Sequence, residues 1–174
     1  MPSKKHYIIT AITLGAIAAA SGALIGVANL VTRDQIKKNE AKKFEAGITA
    51  IFGENTTTED FHKDLKELEY LESSYFVNQD DKTIGWAVRA TGSNMYGKIS
   101  LIAGFDYESK AFKGIYVVTN EQTYASTLVD NYINPLNKGD VNLDDVSCGA
   151  TYGAKLVRDL VNASQSYVDG IIYD

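Results

Sequence analysis

Among 174 residues the chain has one cysteine, Cys148, so no internal disulfide and no cysteine-held metal cluster can form. Histidine is nearly as scarce: His6 lies near the N-terminus and His62 in a charged stretch, which argues against a zinc site. Basic residues are outnumbered, 17 Lys and Arg against 22 Asp and Glu, for a formal net charge of -5. That balance argues against a nucleic-acid partner, because a phosphate backbone calls for clustered cations. No nucleophile and general base stand in a recognisable pattern. Asp144 and Asp145 adjoin in sequence and read as loop-positioning residues rather than an acid/base pair. Any redox chemistry therefore falls to an organic cofactor.

Charge is missing altogether from 8–31. At 1.5 Å of rise per residue this run matches a hydrocarbon core of about 30 Å. It predicts a transmembrane helix over 7–31, preceded by a short basic segment, 1–6, with Lys4 and Lys5. The rival is a cleaved signal peptide, since Ala18-Ala19-Ala20-Ser21 offers small residues near a cut site. The apolar run continues through Leu24, Ile25, Val27, Leu30 and Val31, which favours an uncleaved anchor. Gly22 and Gly26 stand four apart, the spacing that lets helix backbones touch in lipid; chance pairs in an Ala-rich span are the equal alternative. Arg33, Lys37, Lys38, Lys42 and Lys43 follow the span, and by count alone they would lie in the cytoplasm.

Segment 32–72 reads as a helical stalk and the start of a domain. Ile36, Phe44, Ile48, Ile51 and Phe52 give 34–52 an apolar side, and Gly53 ends that helix. Thr57 or Thr58 is placed to cap a second helix over 59–70, with Phe61, Leu65 and Leu68 inward. Strands follow at 74–77, 84–90, 98–106 and 112–118, with turns at Asp80-Asp81-Lys82 and Glu108-Ser109-Lys110 and a loop at 91–97. Helices flanking an antiparallel sheet make the class α+β, with the main domain over 73–174.

After the strands, Leu156, Val157, Leu160, Val161 and Val168 recur at helical spacing. Thr151 then sits at or just before a helix N-terminus, where free N–H groups and the dipole suit a phosphate. Gly149 and Ala150 leave room for a close approach. The plainer alternative is that Thr151 caps the helix.

The run Asp145-Val146-Ser147-Cys148-Gly149-Ala150-Thr151 resembles the D-x-x-[ST]-G-A-T signature of the FMN-binding domain family. That family includes the RnfG component of the Rnf complex and a component of the sodium-translocating NADH:quinone reductase. Cys148 stands where the family has Ser or Thr, and Gly153-Ala154 replace small hydroxyl residues. Tyr96-Gly97 and the two strands after it are similar to the family's glycine-aromatic loop and strand pair. Asn120-Glu121-Gln122-Thr123 resembles its Glu-Thr segment, with Gln122 inserted and Tyr124-Ala125-Ser126 in place of a proline and glycines.

The resemblance spans roughly 75–168 and implies a function. A flavin transferase would join FMN through its phosphate to the Thr151 hydroxyl, beside Cys148, Gly149 and Ala150. The flavin ring would lie against Tyr96, Gly97, Glu121 and Thr123; the equal alternatives are ordinary packing for Tyr96 and, for Glu121 and Thr123, entry to a helix before Leu128 and Val129. Lys155 and Arg158 are placed to neutralise the phosphate, the rival reading being exposed helix residues. The implied protein is a single-pass, membrane-anchored electron carrier of the cell membrane, its domain outside. It would work among the redox and membrane subunits of an Rnf-type, ferredoxin:NAD, ion-translocating complex, without a substrate site of its own. The alternatives are a stand-alone extracellular flavin carrier and a non-redox, membrane-tethered binding module.

Overall fold

The computed structural model describes residues 4–61, 65 and 68–171, apart from a few side chains within the first helix. The chain divides into two compact units, Met1–Lys42 and Lys43–Asp174. Helix α1 (Lys4–Phe52) supplies the described part of the first and the opening turns of the second. In the first unit, Tyr7–Asn29 is long and apolar enough to cross a membrane, by length and composition. Ile12, Leu24 and Ile25 are 67–72% exposed.

The second unit is built on one five-stranded antiparallel sheet in the order β1 (Thr56–Asp60), β2 (Leu71–Gln79), β3 (Lys82–Asn94), β4 (Gly97–Asp106) and β5 (Phe112–Asn120). A sheet with helices before and after it is α+β, as the sequence predicts. The turn at Asp80-Asp81 has positive φ at both residues, 49° and 60°. That is the twist that joins adjacent antiparallel strands in two residues.

Two sequence expectations fail here. The helix proposed for 59–70 gives way at its start to β1, whose Thr56–Asp60 run pairs with Gln79–Tyr75 of β2; the β-branched threonines suit a pleated edge better than a cap. Residues 68–70 form a turn, and 62–64 and 66–67 lie outside the described residues. The loop proposed for 91–97 is mostly strand. Thr91 to Asn94 extend β3, Gly97 opens β4, and only Met95-Tyr96 turn. Asn94 closes that turn by accepting the Tyr96 N–H at 2.8 Å through Oδ1, a contact that hydropathy patterning does not register.

Both faces of the sheet are covered within this unit, which is why β4 is buried continuously from Ile99 to Phe105. On one face Phe44, Ile48, Ile51 and Phe52 of α1 pack against Val77, Ala87, Ile102, Tyr116 and Val118. Gly47 permits this: a Cβ there would lie 2.7 Å from the Ile102 side chain. The other face carries Trp86, Val88, Leu101, Ala103 and Phe105 under α4 (Thr151–Gly170). Helix α4 turns Leu156, Val157, Leu160, Val161 and Val168 inward, the residues whose spacing predicts it. Its C-terminal carbonyls at Asp169 and Ile171 accept the Lys110 ammonium at 3.2 and 2.8 Å, a cation at the negative end of the helix.

Between β5 and α4 come α2 (Ala125–Leu128), a π-helical turn (Val129–Ile133) and α3 (Asn134–Lys138). The Asn137 amide accepts from the Ile115 N–H at 2.8 Å and donates to the Ile115 carbonyl at 2.9 Å. A side chain thus takes the place of a sixth strand at that point of β5.

Candidate functional site

Helix α4 lies along β3, and Gly92 lets it come close: a Cβ there would meet Leu156 at 2.9 Å and Leu160 at 3.1 Å. That approach carries the first turn of α4 to the tip of the β3–β4 hairpin. Asn94 Nδ2 donates to the Tyr152 carbonyl at 3.0 Å, and the Tyr96 and Tyr152 rings lie 5.2 Å apart at 36°. On the other side of the tip, segment 121–123 continues the hairpin's ladder. The Glu121 N–H donates to the Lys98 carbonyl at 2.9 Å, and the Thr123 N–H to the Tyr96 carbonyl at 3.0 Å.

These three pieces enclose a half-open cleft of roughly 200 Å³, lined by Tyr96, Gln122, Tyr124, Gly149, Ala150, Thr151, Tyr152 and Gly153. Tyr124 and Tyr152 are each 57% exposed at its rim. The N-cap of α4 is Ala150, which has no side chain able to cap, and Thr151 is the first helical residue. The capping role open to Thr151 from sequence is therefore not the one it plays. Gly149 has φ +85°, a left-handed turn that delivers the chain to the helix at little steric cost.

The loop before α4 is clamped at its own backbone. Asp145 Oδ2 accepts the Asn142 N–H at 2.8 Å. The π-helical turn presents two neighbours to the same loop: Asn131 Nδ2 donates to the Cys148 carbonyl at 3.0 Å, and the Tyr132 hydroxyl donates to the Leu143 carbonyl. Tyr132 is fully buried. Burial, the largest influence on it, pushes its phenol up from 10.0 to about 12, because ionisation would leave a charge in a poorly solvating site. The neutral phenol is the form the fold favours, so its contribution is fully present below pH 10 and fades as pH rises through about 12. Tyr132→Phe should remove that alkaline loss from a pH series of denaturant unfolding. Below pH 10 it should cost about 1–3 kcal/mol, through the unpaired Leu143 carbonyl.

Of the residues singled out from sequence, Tyr96, Gly149, Ala150 and Thr151 meet in the cleft wall. Gly97 stands behind it: with φ +134°, a Cβ would lie 2.1 Å from the Glu121 carbonyl oxygen. Glu121 and Thr123 are exposed and join through their backbones, and the Thr123 hydroxyl also donates to the Tyr96 carbonyl at 3.4 Å. Cys148 is partly buried and packs against the core. Lys155 is exposed, its ammonium 5.8 Å from the Tyr152 ring centre. Arg158 pairs with Asp159 at 3.1 Å and reaches Asp144 at 4.0 Å.

Sequence reasoning misses four lining residues: Gln122, Tyr124, Tyr152 and Gly153. Tyr152 and Gly153 directly follow Thr151, a signal available in the sequence. Gln122, read there as an insertion, is 7% exposed and sits in the wall where Glu121 was expected. Gly153 and Ala154 differ from the hydroxyl residues of the resembling family for a packing reason. A Gly153 Cβ would lie 2.9 Å from Leu128, and Ala154 is fully buried.

The arrangement offers a hydroxyl at a positive helix end, a lysine nearby, aromatic faces and one amide. Among the described residues no group of three or more His, Cys, Asp or Glu could hold a metal ion. No curated protein matches the chain. Its first 51 residues, which end before the sheet begins, match the family model of the RnfG N-terminal region, a match consistent with an RnfG-like protein.

Proposed function

We propose that the chain is a membrane-anchored electron-transfer subunit of an Rnf-type complex and carries FMN as a phosphoester on Thr151. The observation that carries this reading is the position of Thr151. Its side chain is free of a capping role, at the first residue of α4, in the wall of an aromatic cleft. The RnfG match over 1–51 supplies the setting, an Rnf assembly with other redox and membrane subunits.

The residues fit the group. Thr151 Oγ1 would bond to phosphorus as the transferase displaces the leaving phosphate of a flavin phosphoanhydride, which takes up the threonine proton, for a net gain of one FMN less one water. The helix dipole and Lys155 would offset the remaining phosphate charge. Gly149, Ala150 and Gly153 leave the approach clear, and Tyr96, Tyr124 and Tyr152 would cover ring faces. FMN would supply one- and two-electron transfer, with the protein setting position and electronics. Non-covalent ligand sites generally run to about 300–1,000 Å³. At roughly 200 Å³ and half open, this cleft is small for a nucleotide held by burial alone, and a covalent tether replaces the missing contact area with permanent proximity.

In this reading Tyr7–Asn29 is the anchor, the domain lies on the outer face, and a flavin transferase matures the protein. Intact mass of the protein from its native host tests the cofactor: the polypeptide should be heavier by one FMN less one water. The assembly is tested separately at Gly22 and Gly26, where a Cβ meets nothing within 4 Å. The Gly22→Leu/Gly26→Leu protein should keep its flavin yet lose co-purification with membrane partners, through a blocked helix contact. Undiminished co-purification would reject that surface.

A further inference from the structure

The Gln122 amide is held by a network that fixes which end is oxygen. Asn94 Oδ1 accepts the Tyr96 backbone N–H at 2.8 Å, so that atom is an acceptor. Gln122 Nε2 must then donate to it, at 3.1 Å, and it also donates to the Gly97 carbonyl at 2.5 Å. Both amide hydrogens are spent on acceptors, and an amide has no others. Oε1 is left turned toward Gly153, 3.4 Å from the place a Cβ would occupy there. The residue is 7% exposed and lines the cleft, and among the described residues no donor is bonded to Oε1. An amide oxygen on a cleft wall, with both amide hydrogens committed elsewhere, can meet a bound molecule only as an acceptor.

We propose that Gln122 Oε1 is a fixed hydrogen-bond acceptor for a ring N–H of the molecule bound in the cleft, and so a positioning residue for it. The inference rests on the FMN reading above and names the contact that orients the ring. The chemistry is selective. The oxidised flavin ring has a single N–H, on the imide nitrogen N3, and reduction adds another at N5. A carbonyl oxygen whose donors are locked can meet either. The Asn94 amide and the Gly97 carbonyl beside it are already bonded. A tether at Thr151 limits distance but leaves the ring free to turn, and this acceptor would remove that freedom.

The test uses the full-length, flavin-loaded protein, with loading first established by intact mass; bare protein at that stage rejects the cofactor reading itself. Gln122→Met and Gln122→Glu are compared with wild type. Both lose the amide donors to Asn94 and Gly97, and Gln122→Glu also sets a carboxylate against those two acceptors, so a purely structural residue predicts at least as large a disturbance in Glu as in Met. Only Gln122→Glu keeps an oxygen at the acceptor position. Resonance Raman spectra in H₂O and D₂O read hydrogen bonding at the ring N–H, and the flavin midpoint potential reads it on reduction.

The expected result is a shifted isotope-sensitive ring band in the Met variant and its retention in the Glu variant. A band change already present in the oxidised protein assigns N3–H. One confined to the reduced protein, with a changed midpoint potential in the Met variant, assigns N5–H. Wild-type spectra and potential in the Met variant, or equal changes in both variants, overturn the proposal. Thermal unfolding of the Thr151→Ala protein with and without each substitution supplies the cofactor-free stability. If Gln122→Met does not fold, Asn94→Ala, which frees one amide hydrogen and lets the group rotate, should broaden the same band.

Discussion

Thr151→Ala protein made alongside a flavin transferase should have the mass of the bare polypeptide and give no fluorescent band after denaturing electrophoresis. Wild type should carry the extra mass of one FMN less one water, and Thr151→Ser should retain it. The effect is all-or-none because the variant removes the only oxygen that becomes part of the bond. It should also be clean. Ala150 holds the N-cap position, so removing the hydroxyl takes no cap from α4 and stability should move by no more than about 0.5 kcal/mol. Unfolding curves of unmodified wild type and variant should therefore superimpose. Full flavin mass on Thr151→Ala would move the attachment to another hydroxyl, with Ser147 the nearest aliphatic one in sequence. Bare wild-type protein would end the flavin reading.

Gly97→Ala should be among the most damaging single-methyl additions in the domain. The residue has φ +134°, and its new Cβ would fall 2.1 Å from the Glu121 carbonyl oxygen and 3.1 Å from the Gln122 nitrogen. Both neighbours are backbone, so neither can rotate aside. Backbone strain of this kind costs about 1–3 kcal/mol, and forcing apart the 96–98 and 121–123 segments adds lost hydrogen bonds of about 1 kcal/mol each. We expect destabilisation of about 3 kcal/mol or more by denaturant unfolding, together with poor flavin loading, because Tyr96 and Gln122 are carried on the two segments being separated. Unchanged stability would show that the hairpin tip tolerates the shift, and Gly97 would then have no structural claim on the cleft.

The contrast between these two substitutions separates the tether from its frame. Thr151 is expected to matter for attachment and hardly for folding. Gly97 matters for folding first, and for the cofactor through it. Tyr132 sits with Gly97, since its hydroxyl holds the Leu143 carbonyl in the loop that precedes Thr151.

What the sequence by itself determined was whatever repeats with a period or lacks a residue type. The uncharged run at 8–31, the apolar face of α4 and the class α+β are all periodic or compositional, and the structure carries each of them. Thr151 at the start of α4 was readable because small residues end one pattern just where another begins. Only the tertiary structure decided that 56–60 is a strand, since five residues at a sheet edge carry no period strong enough to outweigh a capping signal. The same holds for the cleft wall. Gln122 rather than Glu121 faces inward because a bulge in the β4–β5 pairing, between Ser100 and Leu101, and the pairing of 121–123 with 96–98 set which side chains turn in. The Gln122 amide is oriented by Asn94, 28 residues away in sequence. A contact at that separation exists only once β4 has paired with both β3 and β5, and no local pattern encodes it.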